Sequence, residues 1–328
     1  MIDYIALNKH FQDKDKPFFG HCQEIAAYRS GEIKYNILGC RPLEIYWNES
    51  LHRLRLKGSL LYFIQNHNFT YSDSLFREAV EYLEGILYCS LWDSNVDEFE
   101  YGTIIEVEKS PKEYILHHYA NDKKLSESKN QKSENYLRRW EDANVSLKMY
   151  DENKNIGLKQ NKLEKEYLKQ AGWNPELYHL KWEVHYKRPH LIFNGGNYLK
   201  LADLLNPAFQ ERFREDLLYQ YSRLSPFRTV IPPKNKKQAS AGGILLWTLA
   251  EKLLNDNIPL SKMKKFIYAM INNLPDSVLL PNDKKARKRQ IRSLLKVIEE
   301  SDTSQWELSE VLKEKIKETR VMAGLNSI

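Results

Sequence analysis

The sequence predicts an α+β fold: a largely antiparallel sheet with helices on one face, followed by a helical C-terminal region. Before about residue 200, segments that alternate apolar and polar residues are interleaved with segments of helical spacing. From about residue 201, the apolar spacing is almost wholly helical. With 328 residues, 42% of them hydrophobic, the chain can bury at least one full core. We expect two domains, 1–200 and 201–328.

The first predicted elements are strands. The segment "IKYNILGCRPLEIYW" at 33–47 predicts two short strands around a Gly-Cys-Arg-Pro turn. In "LHRLRLKGSLLYF", Leu54 and Leu56 alternate with basic residues, which predicts a half-buried strand with a basic open face. The basic residues of that face are Arg53, Arg55 and Lys57.

Helices and strands alternate after these segments. In "SDSLFREAVEYLEGIL" the apolar residues follow helical spacing behind an N-cap at Ser72 or Asp73. "EFEYGTIIEVE" predicts a strand, and "SPKEYILHHYA" predicts a helix that begins at Pro111. The predicted C-terminal helices are "KLADLLNPAFQERFREDLLYQYSRL", "SAGGILLWTLAEKLLND", "SKMKKFIYAMINNL", "KKARKRQIRSLLKVIEE" and "SQWELSEVLKEKIKETR", and the predicted linker is "PPKNKK" at 232–237.

Three predicted strands carry one apolar and one polar face, because side chains alternate across a sheet. In "DEFEYGTIIEV", "VSLKMY" and "HLKWEVHYK", the polar faces hold Glu98 and Glu100, then Ser146, Lys148 and Tyr150, then His179, Lys181, Glu183, His185 and Lys187. If the three strands pair in one sheet, one set of side chains converges on a single site: Glu100, Tyr150, Glu183 and His185. We expect this face to be open.

This set of side chains suits phosphodiester chemistry. Carboxylates and an imidazole can hold a divalent cation, with Mg²⁺ or Mn²⁺ favoured by oxygen ligands, and the expected ligands are Glu100, Glu183 and His185. The hydroxyl of Tyr150 can then attack phosphorus to give a covalent phosphotyrosine. Lys148 and Lys181 would favour the phenolate or steady the phosphate. The alternative is a solvated polar face without function, which antiparallel sheets often present to water.

Basic residues are clustered in the sequence. The net charge is +6 and the pI is 8.9, and the runs "KKLSESKNQKSENYLRR" at 123–139, "KKARKRQIRSLLK" at 284–296 and "FRTVIPPKNKKQ" hold much of the excess. Several separate clusters favour a polyanionic partner over solvated loops, because a phosphate backbone engages many cations. The expected nucleic-acid contacts are Arg53, Arg55, Lys57, Lys129, Lys132, Arg138, Arg139, Lys284, Lys285, Arg287, Lys288 and Arg289.

Composition argues against other classes of protein. There is no run of 18 or more apolar residues, and "MIDYIALNKHFQDKDK" has neither a basic start nor an apolar middle. We therefore expect a soluble intracellular protein without a membrane span or secretory signal. Cys22, Cys40 and Cys89 are odd in number and far apart, which argues against a disulfide framework or a thiolate zinc site. We interpret them as reduced core thiols.

The order of the segments resembles a known family. "KGSLLYFIQNHNF", the helix after it, "NVDEFEYGTIIEV", the Lys/Ser-rich loop, "VSLKMYDENKN" and "HLKWEVHYKRPHLIF" with "LKLADLLNP" resemble the gene II protein family of filamentous-phage replication initiators and related rolling-circle initiators. The resemblance covers roughly residues 35–210. It implies that Tyr150 is the nicking tyrosine and that Glu183 is the acidic residue of the following strand. Glu98 and Glu100 match an arginine and an aspartate of the preceding strand.

The chain departs from the family pattern in its charges. Glu152 stands where the family carries a lysine two residues after the tyrosine, and Glu98 stands where it carries an arginine. Lys148 or Lys154 is the candidate to supply the missing positive charge. The His-hydrophobic-His triplet of the wider nicking superfamily does not occur in the sequence.

The resemblance implies a replication initiator that nicks one DNA strand at an origin and later rejoins it. Residues 1–200 would form the catalytic domain, with Mg²⁺ or Mn²⁺ as cofactor. The implied partners are single-stranded or hairpin origin DNA and a host helicase and polymerase, in the cytoplasm of a bacterial host. Two alternatives stay open: a non-enzymatic, sequence-specific DNA-binding protein that uses the same basic surfaces, and a globular protein with an ordinary basic surface.

Overall fold

The computed structural model describes most of the 328-residue chain. The described residues are 1–12, 15–38, 43–128, 136–160, 162–226, 229–230, 244–245, 248–249, 252, 260–303 and 308–325. Several expected features lie outside them: the turn at 39–42 with Cys40, the basic residues Lys129 and Lys132, the linker at 232–237 and most of the helix expected over 240–256.

An antiparallel sheet dominates the fold. The strands are β1 (Ile2–His10), β2 (Cys22–Ala27), β3 (Glu32–Ile37), β4 (Glu44–Asn48), β5 (Arg53–Gly58), β6 (Asn95–Val107), β7 (His118–Ala120), β8 (Ser126–Ser128), β9 (Leu137–Glu141), β10 (Val145–Asp151), β11 (Tyr178–Tyr186), β12 (Leu199–Lys200), β13 (Leu224–Pro226), β14 (Thr229–Val230) and β15 (Asp302–Thr303). Eleven of them form one sheet in the order β2-β3-β4-β5-β1-β6-β11-β10-β9-β8, with β12 paired to β6. Its neighbouring strands are antiparallel, as the sequence predicted.

Helices connect these strands and fill the C-terminal region. They are α1 (Leu60–Gln65), α2 (Asp73–Leu87), α3 (Pro111–His117), α4 (Glu152–Lys159), α5 (Lys162–Gln170), α6 (Pro189–Phe193), a 3₁₀ helix (Leu201–Leu205), α7 (Pro207–Ser222), α8 (Leu260–Asn273), α9 (Pro281–Ser301) and α10 (Ser309–Leu325). The α+β class and the helical C-terminal region are therefore confirmed. Ser72 is the N-cap of α2, and its side chain accepts from the Leu75 N–H.

Two compact units divide the chain, and they do not follow the boundary expected at residue 200. The first unit comprises 1–116, 120–224 and the described residues from 308 onward. The second comprises 117–119 and the described residues between 225 and 307. The boundary differs because α7 and α10 bury apolar side chains in the first unit. The Leu308 N–H, just before α10, donates to the hydroxyl of Tyr221 in α7 at 2.9 Å.

Helix α7 packs on the apolar face of the sheet. It begins at Pro207 behind the Asn206 N-cap. The ring centroid of Phe213 lies 4.9 Å from the ring centroid of Phe99 on β6. The indole N–H of Trp182 on β11 donates to the carbonyl of Leu217 at 3.3 Å. This packing assigns one face of β6 and β11 to the core and leaves the opposite face for polar side chains.

Strand β1 lies at the centre of the sheet, between β5 and β6, although apolar alternation does not predict it. Its register against β6 shifts between Ile2 and Ile5 and again between Ala6 and Leu7. Such irregularities break the two-residue period on which the sequence prediction depends.

The described helices include none with the length and apolar character needed to cross a bilayer.

Removal of the Phe213 ring tests the packing of α7 on the sheet. Phe213 is fully buried, so Phe213→Ala should lower the free energy of unfolding by about 3–5 kcal/mol, because apolar burial is reduced and a cavity forms. Urea denaturation followed by circular dichroism measures this change. Tyr219→Ala, on the same helix at a side chain 59% exposed, is the control and should change stability by less than about 0.5 kcal/mol. Equal losses of stability in the two variants would contradict this packing.

Candidate active site

The polar faces of β6, β11 and β10 are the same face of the sheet. Glu183 on β11 pairs with Lys148 on β10 and with Gly102 on β6. Because directly opposed residues of antiparallel strands point to one side, Glu183, Lys148 and Tyr150 share that side. Glu100, two residues before Gly102, lies there too. The shared face expected for Glu100, Tyr150 and Glu183 is confirmed.

Gly102 lets β6 approach Glu183 closely. A Cβ atom at this position would lie 2.5 Å from the Cβ of Glu183 and 2.6 Å from the carbonyl oxygen of Trp182. Both distances are far below a normal contact, so any larger residue would displace the β11 backbone. Glycine in the strand is therefore a requirement for the position of Glu183.

Asp3 joins the site from β1, and sequence patterning misses it. Between Ile2 and Ile5, β1 has one more residue than the facing stretch of β6, which is the signature of a β-bulge. The bulge explains why two consecutive residues, Asp3 and Tyr4, both line the same pocket. In a regular strand they would point to opposite faces.

Asp3, Glu100 and Glu183 form an acidic cluster. One carboxylate oxygen from each lies within 4.8 Å of the others, which is close enough for a shared cation. His185, an expected ligand, is not part of this group. Its ring instead bridges two carboxylates, with Nδ1 2.8 Å from Glu100 and Nε2 3.1 Å from Glu98. Burial alone would lower the pKa of His185, but these two hydrogen bonds raise it above its ordinary value.

Two lysines neutralise the acidic cluster. The ammonium of Lys181 lies 2.5 Å from Asp3 and 3.2 Å from Glu183. The ammonium of Lys148 bridges Glu100 and Glu183 and is 2.8 Å from the latter. Burial would raise the pKa of Glu183, but the charges of Lys181 and Lys148 outweigh it and hold the pKa well below its usual range. The carboxylate therefore stays ionised although it is buried.

Tyr150 is bonded to this cluster. Its hydroxyl donates to Oε2 of Glu183 at 2.9 Å, and the Lys181 ammonium lies 5.6 Å from the ring centroid. Burial, and then the negative charge of Glu183, raises the pKa of Tyr150 far above its ordinary value. Lys148 does not bond the phenol directly. It acts on Tyr150 through Glu183, whose second oxygen it holds.

A pocket of about 330 Å³ gives access to the cluster, but its floor is not an open sheet face. Tyr150 is 9% exposed and Glu183 is 3% exposed, so the expected open face is wrong at this point. The physical reason is that side chains from α1 and α4, including Tyr62 and Asn155, line the pocket around them.

The wall of the pocket is basic and aromatic. Arg139 of β9 and Lys159 of α4 line it, and neither side chain makes a hydrogen bond or ion pair with another described residue. Tyr136 also lines it, and the Lys154 ammonium lies 4.8 Å from the Tyr136 ring centroid. An anionic floor and a cationic wall thus face one space.

Other expected nucleic-acid contacts have partners within the chain. Arg55 donates two hydrogen bonds to Glu32, at 2.9 and 2.7 Å, and Arg53 bonds the same carboxylate at 3.2 Å. Arg138 bonds Glu127 at 2.7 Å. Lys57 lies on the polar face, opposite Ala6 of β1. The basic open face expected for β5 is therefore largely neutralised by β3.

The basic run of α9 in the second unit is divided between two roles. Lys284 pairs with Asp276 at 2.9 Å, and Lys288 donates to Asn272 of α8. Three other cations form an exposed stripe at helical spacing: Lys285, Arg289 and Arg292. Over seven residues this stripe extends about 10 Å along the helix. Arg287, also exposed, bonds Gln290.

Glu152, at the start of α4, is fully buried. Its Oε2 accepts from Asn155 at 3.2 Å, while Oε1 has no hydrogen-bond partner within the described part of the chain. Burial raises its pKa to about 7, against the opposing charge of Lys181. Sequence patterning does not indicate this burial, because Glu152 follows the strand in an otherwise polar segment.

Comparison with known proteins finds no match for this chain among protein-family models, curated proteins or solved structures.

Glu152 makes stability depend on pH. Between pH 4.5 and about 7, folded Glu152 holds a proton that the unfolded chain has released, so stability falls as the pH rises through this window. The fall amounts to about 3 kcal/mol. Glu152→Gln removes this proton linkage and should be more stable than the wild type above about pH 7. Urea denaturation of both proteins from about pH 5 to pH 8 measures the difference.

The exposed Glu176 provides the control for this prediction. Glu176→Gln should leave the wild-type pH profile unchanged, since this side chain is in solvent. A Glu152→Gln profile that runs parallel to that of the wild type across the whole range would contradict the burial of an ionisable group at this position.

Proposed function

We propose that this protein is a metal-dependent DNA-nicking enzyme that initiates rolling-circle replication and forms a covalent link to DNA through Tyr150. The observation that carries the proposal is the 2.9 Å hydrogen bond from the Tyr150 hydroxyl to Glu183, inside a pocket where Glu183, Asp3 and Glu100 meet. The segment order that resembles the gene II protein family supports the same reaction and the same tyrosine.

The acidic cluster fits a hard divalent cation. Three carboxylates from three adjacent strands offer oxygen ligands, which favour Mg²⁺ or Mn²⁺ over softer metals. Asp3, Glu100 and Glu183 would hold the ion. When bound, the cation supplies positive charge that polarises a phosphodiester and favours ionisation of a neighbouring hydroxyl.

The residues around Tyr150 control the protonation state and the charge of its hydroxyl. With the cluster metal-free, the phenol keeps its proton, because its pKa is far above its ordinary value. Glu183 Oε2 accepts the hydrogen bond of the Tyr150 hydroxyl and so directs its oxygen, and the Lys181 ammonium would stabilise a phenolate. The Tyr150 oxygen bonds to phosphorus and its proton passes to the solvent of the pocket. The bond from phosphorus to the 3′ oxygen breaks, and the 3′ oxygen takes up a proton from solvent. Reversal of these steps rejoins the strand.

Arg139 and Lys159 suit the DNA backbone beside the cut. Both line the pocket and neither is neutralised by an acidic partner among the described residues, so both can pair with phosphate oxygens. The exposed stripe of α9 suits further backbone contacts. We propose origin DNA, single-stranded or hairpin, as the substrate, host helicase and polymerase as partners, and the bacterial cytoplasm as the place of action.

A second candidate is a non-enzymatic, sequence-specific DNA-binding protein. The observation that favours it is that Lys148 and Lys181 already compensate the acidic cluster, so the cluster can be a structural ion-pair network that needs no metal. A covalent protein–DNA adduct separates the two candidates, because only the nicking enzyme forms one.

Loss of the Tyr150 hydroxyl tests the reaction. Tyr150→Phe should abolish nicking and the covalent adduct on single-stranded origin DNA with Mg²⁺ or Mn²⁺, because the nucleophilic oxygen is gone. Glu183→Gln should lower the rate and shift the metal dependence, because one expected ligand, which also accepts the hydrogen bond of Tyr150, loses its charge. Denaturing gels with 5′- and 3′-labelled strands measure both effects.

Tyr136→Phe is the matched control for this experiment, since Tyr136 lines the same pocket without bonding the acidic cluster. It should keep the adduct. An adduct that persists in Tyr150→Phe would contradict the assignment and would point to Tyr4, Tyr62 or Tyr136.

Neutralisation of the α9 stripe tests the DNA surface. Lys285→Gln, Arg289→Gln and Arg292→Gln together should weaken DNA binding about equally across sequences, because backbone contacts carry little base information. The slope of log affinity against log salt should flatten by about 0.9 for each phosphate that is no longer neutralised, measured by fluorescence anisotropy. Lys284→Gln with Lys288→Gln is the control, since these side chains bond Asp276 and Asn272, and it should change the slope less. Equal slopes for the two sets would contradict this surface.

A further inference from the structure

Donors of the chain already bond several carboxylate oxygens of the acidic cluster. Glu183 accepts from Lys148 at Oε1 and from Tyr150 at Oε2. Glu100 accepts from Lys148 and, at 2.8 Å, from His185 through the same oxygen. A divalent cation placed between Glu100 and Glu183 would therefore compete with the Lys148 ammonium, which bonds both carboxylates.

We propose that the Lys148 ammonium occupies the position of the divalent cation between Glu100 and Glu183, and that metal binding displaces it. This inference rests on the metal-binding part of the proposed function. It assigns Lys148 the role of an internal counterion that competes with the metal. Lys148 thereby sets how tightly the site binds its cation.

Exposure identifies Lys148, not Lys181, as the group that leaves. The Lys148 side chain is 14% exposed and lines the pocket, so its ammonium can move into solvent. The Lys181 side chain is 0% exposed and is held between Asp3 and Glu183. Removal of Lys181 from these partners would leave a buried ammonium without compensation, which is far more costly than exposure of Lys148.

The net charge of the acidic cluster also favours displacement of Lys148 by the cation. Three carboxylates and two ammonium groups give the cluster a net charge of −1, from −3 and +2. A divalent cation added beside both lysines would bring it to +1 in a buried site. If Lys148 leaves, the three carboxylates, Lys181 and the cation sum to zero. Neutral buried clusters are favoured, because each uncompensated charge carries a desolvation cost.

Removal of the Lys148 charge tests the competition directly. Lys148→Met should bind Mn²⁺ about tenfold more tightly than the wild type in isothermal titration calorimetry without DNA, because the competing ammonium is absent. Lys187→Met is the control: Lys187 pairs with Glu141 at 2.9 Å on the same sheet, and its loss should leave Mn²⁺ affinity unchanged. Equal or weaker binding by Lys148→Met would overturn the inference.

A second measurement uses the wild-type protein and does not depend on how the variant folds. Brief acetylation of amines, read by mass spectrometry of peptides, should modify Lys148 several-fold faster with saturating Mg²⁺ than with a chelator. Lys181 should stay protected in both conditions. A Lys148 rate that Mg²⁺ leaves unchanged would overturn the inference.

The outcomes separate this inference from the proposed function. Mn²⁺ binding by the wild type without a gain in Lys148→Met overturns the role of Lys148 alone. Absence of Mn²⁺ binding in both proteins overturns the metal site itself, and with it the metal-dependent reaction.

Discussion

The burial of one ionised carboxylate, Glu183, is the constraint on which the site depends. A buried carboxylate without partners costs several kcal/mol, and loss of one partner from a buried ion pair costs about 3–5 kcal/mol. Glu183 therefore needs the two ammonium groups of Lys148 and Lys181 and the hydroxyl of Tyr150. These three partners restrict how the strands can pair. Strand β10 must lie beside β11 in the register that places Lys148 opposite Glu183.

The apolar face of the sheet makes this constraint possible. Helix α7 covers β6 and β11, with Phe213 and Trp182 fully buried, so the polar residues on the opposite face of the same strands cannot turn toward the core. Strands β1, β6, β11 and β10 pair side by side in the sheet. Catalytic groups carried on paired strands are held more precisely than groups on loops. The placement of Tyr150 beside the acidic cluster is thus a property of the sheet.

The sequence predicts the polar faces of β10 and β11 and therefore part of the site. Alternation in "VSLKMY" and "HLKWEVHYK" gives the polar faces directly, and antiparallel pairing then places Tyr150 and Glu183 on one side. Asp3 is not readable, because a bulge breaks the alternation of β1. The position of His185 is not readable either. Its face follows from the period, but its bonds to Glu98 and Glu100 follow from side-chain reach across strands.

Burial depth is the other property that the sequence does not show. The alternation of apolar and polar residues in β11 predicts that Lys181 faces solvent. In the structure its side chain is completely buried between Asp3 and Glu183. In the sequence, Glu152 follows a strand in a polar segment, which predicts exposure. In the structure it begins α4 and its side chain is fully buried. Both depend on tertiary packing around the pocket, which no local pattern encodes.

Anomalous diffraction from crystals grown with Mn²⁺ would test the central claim most directly. We expect one strong anomalous peak, bound by carboxylate oxygens of Asp3, Glu100 and Glu183, with the Tyr150 hydroxyl beside it. The contrary result is an acidic cluster without a peak at saturating Mn²⁺, still bridged by Lys148 and Lys181. That result would make the cluster a structural ion-pair network and would leave Tyr150 without the charge it needs to react.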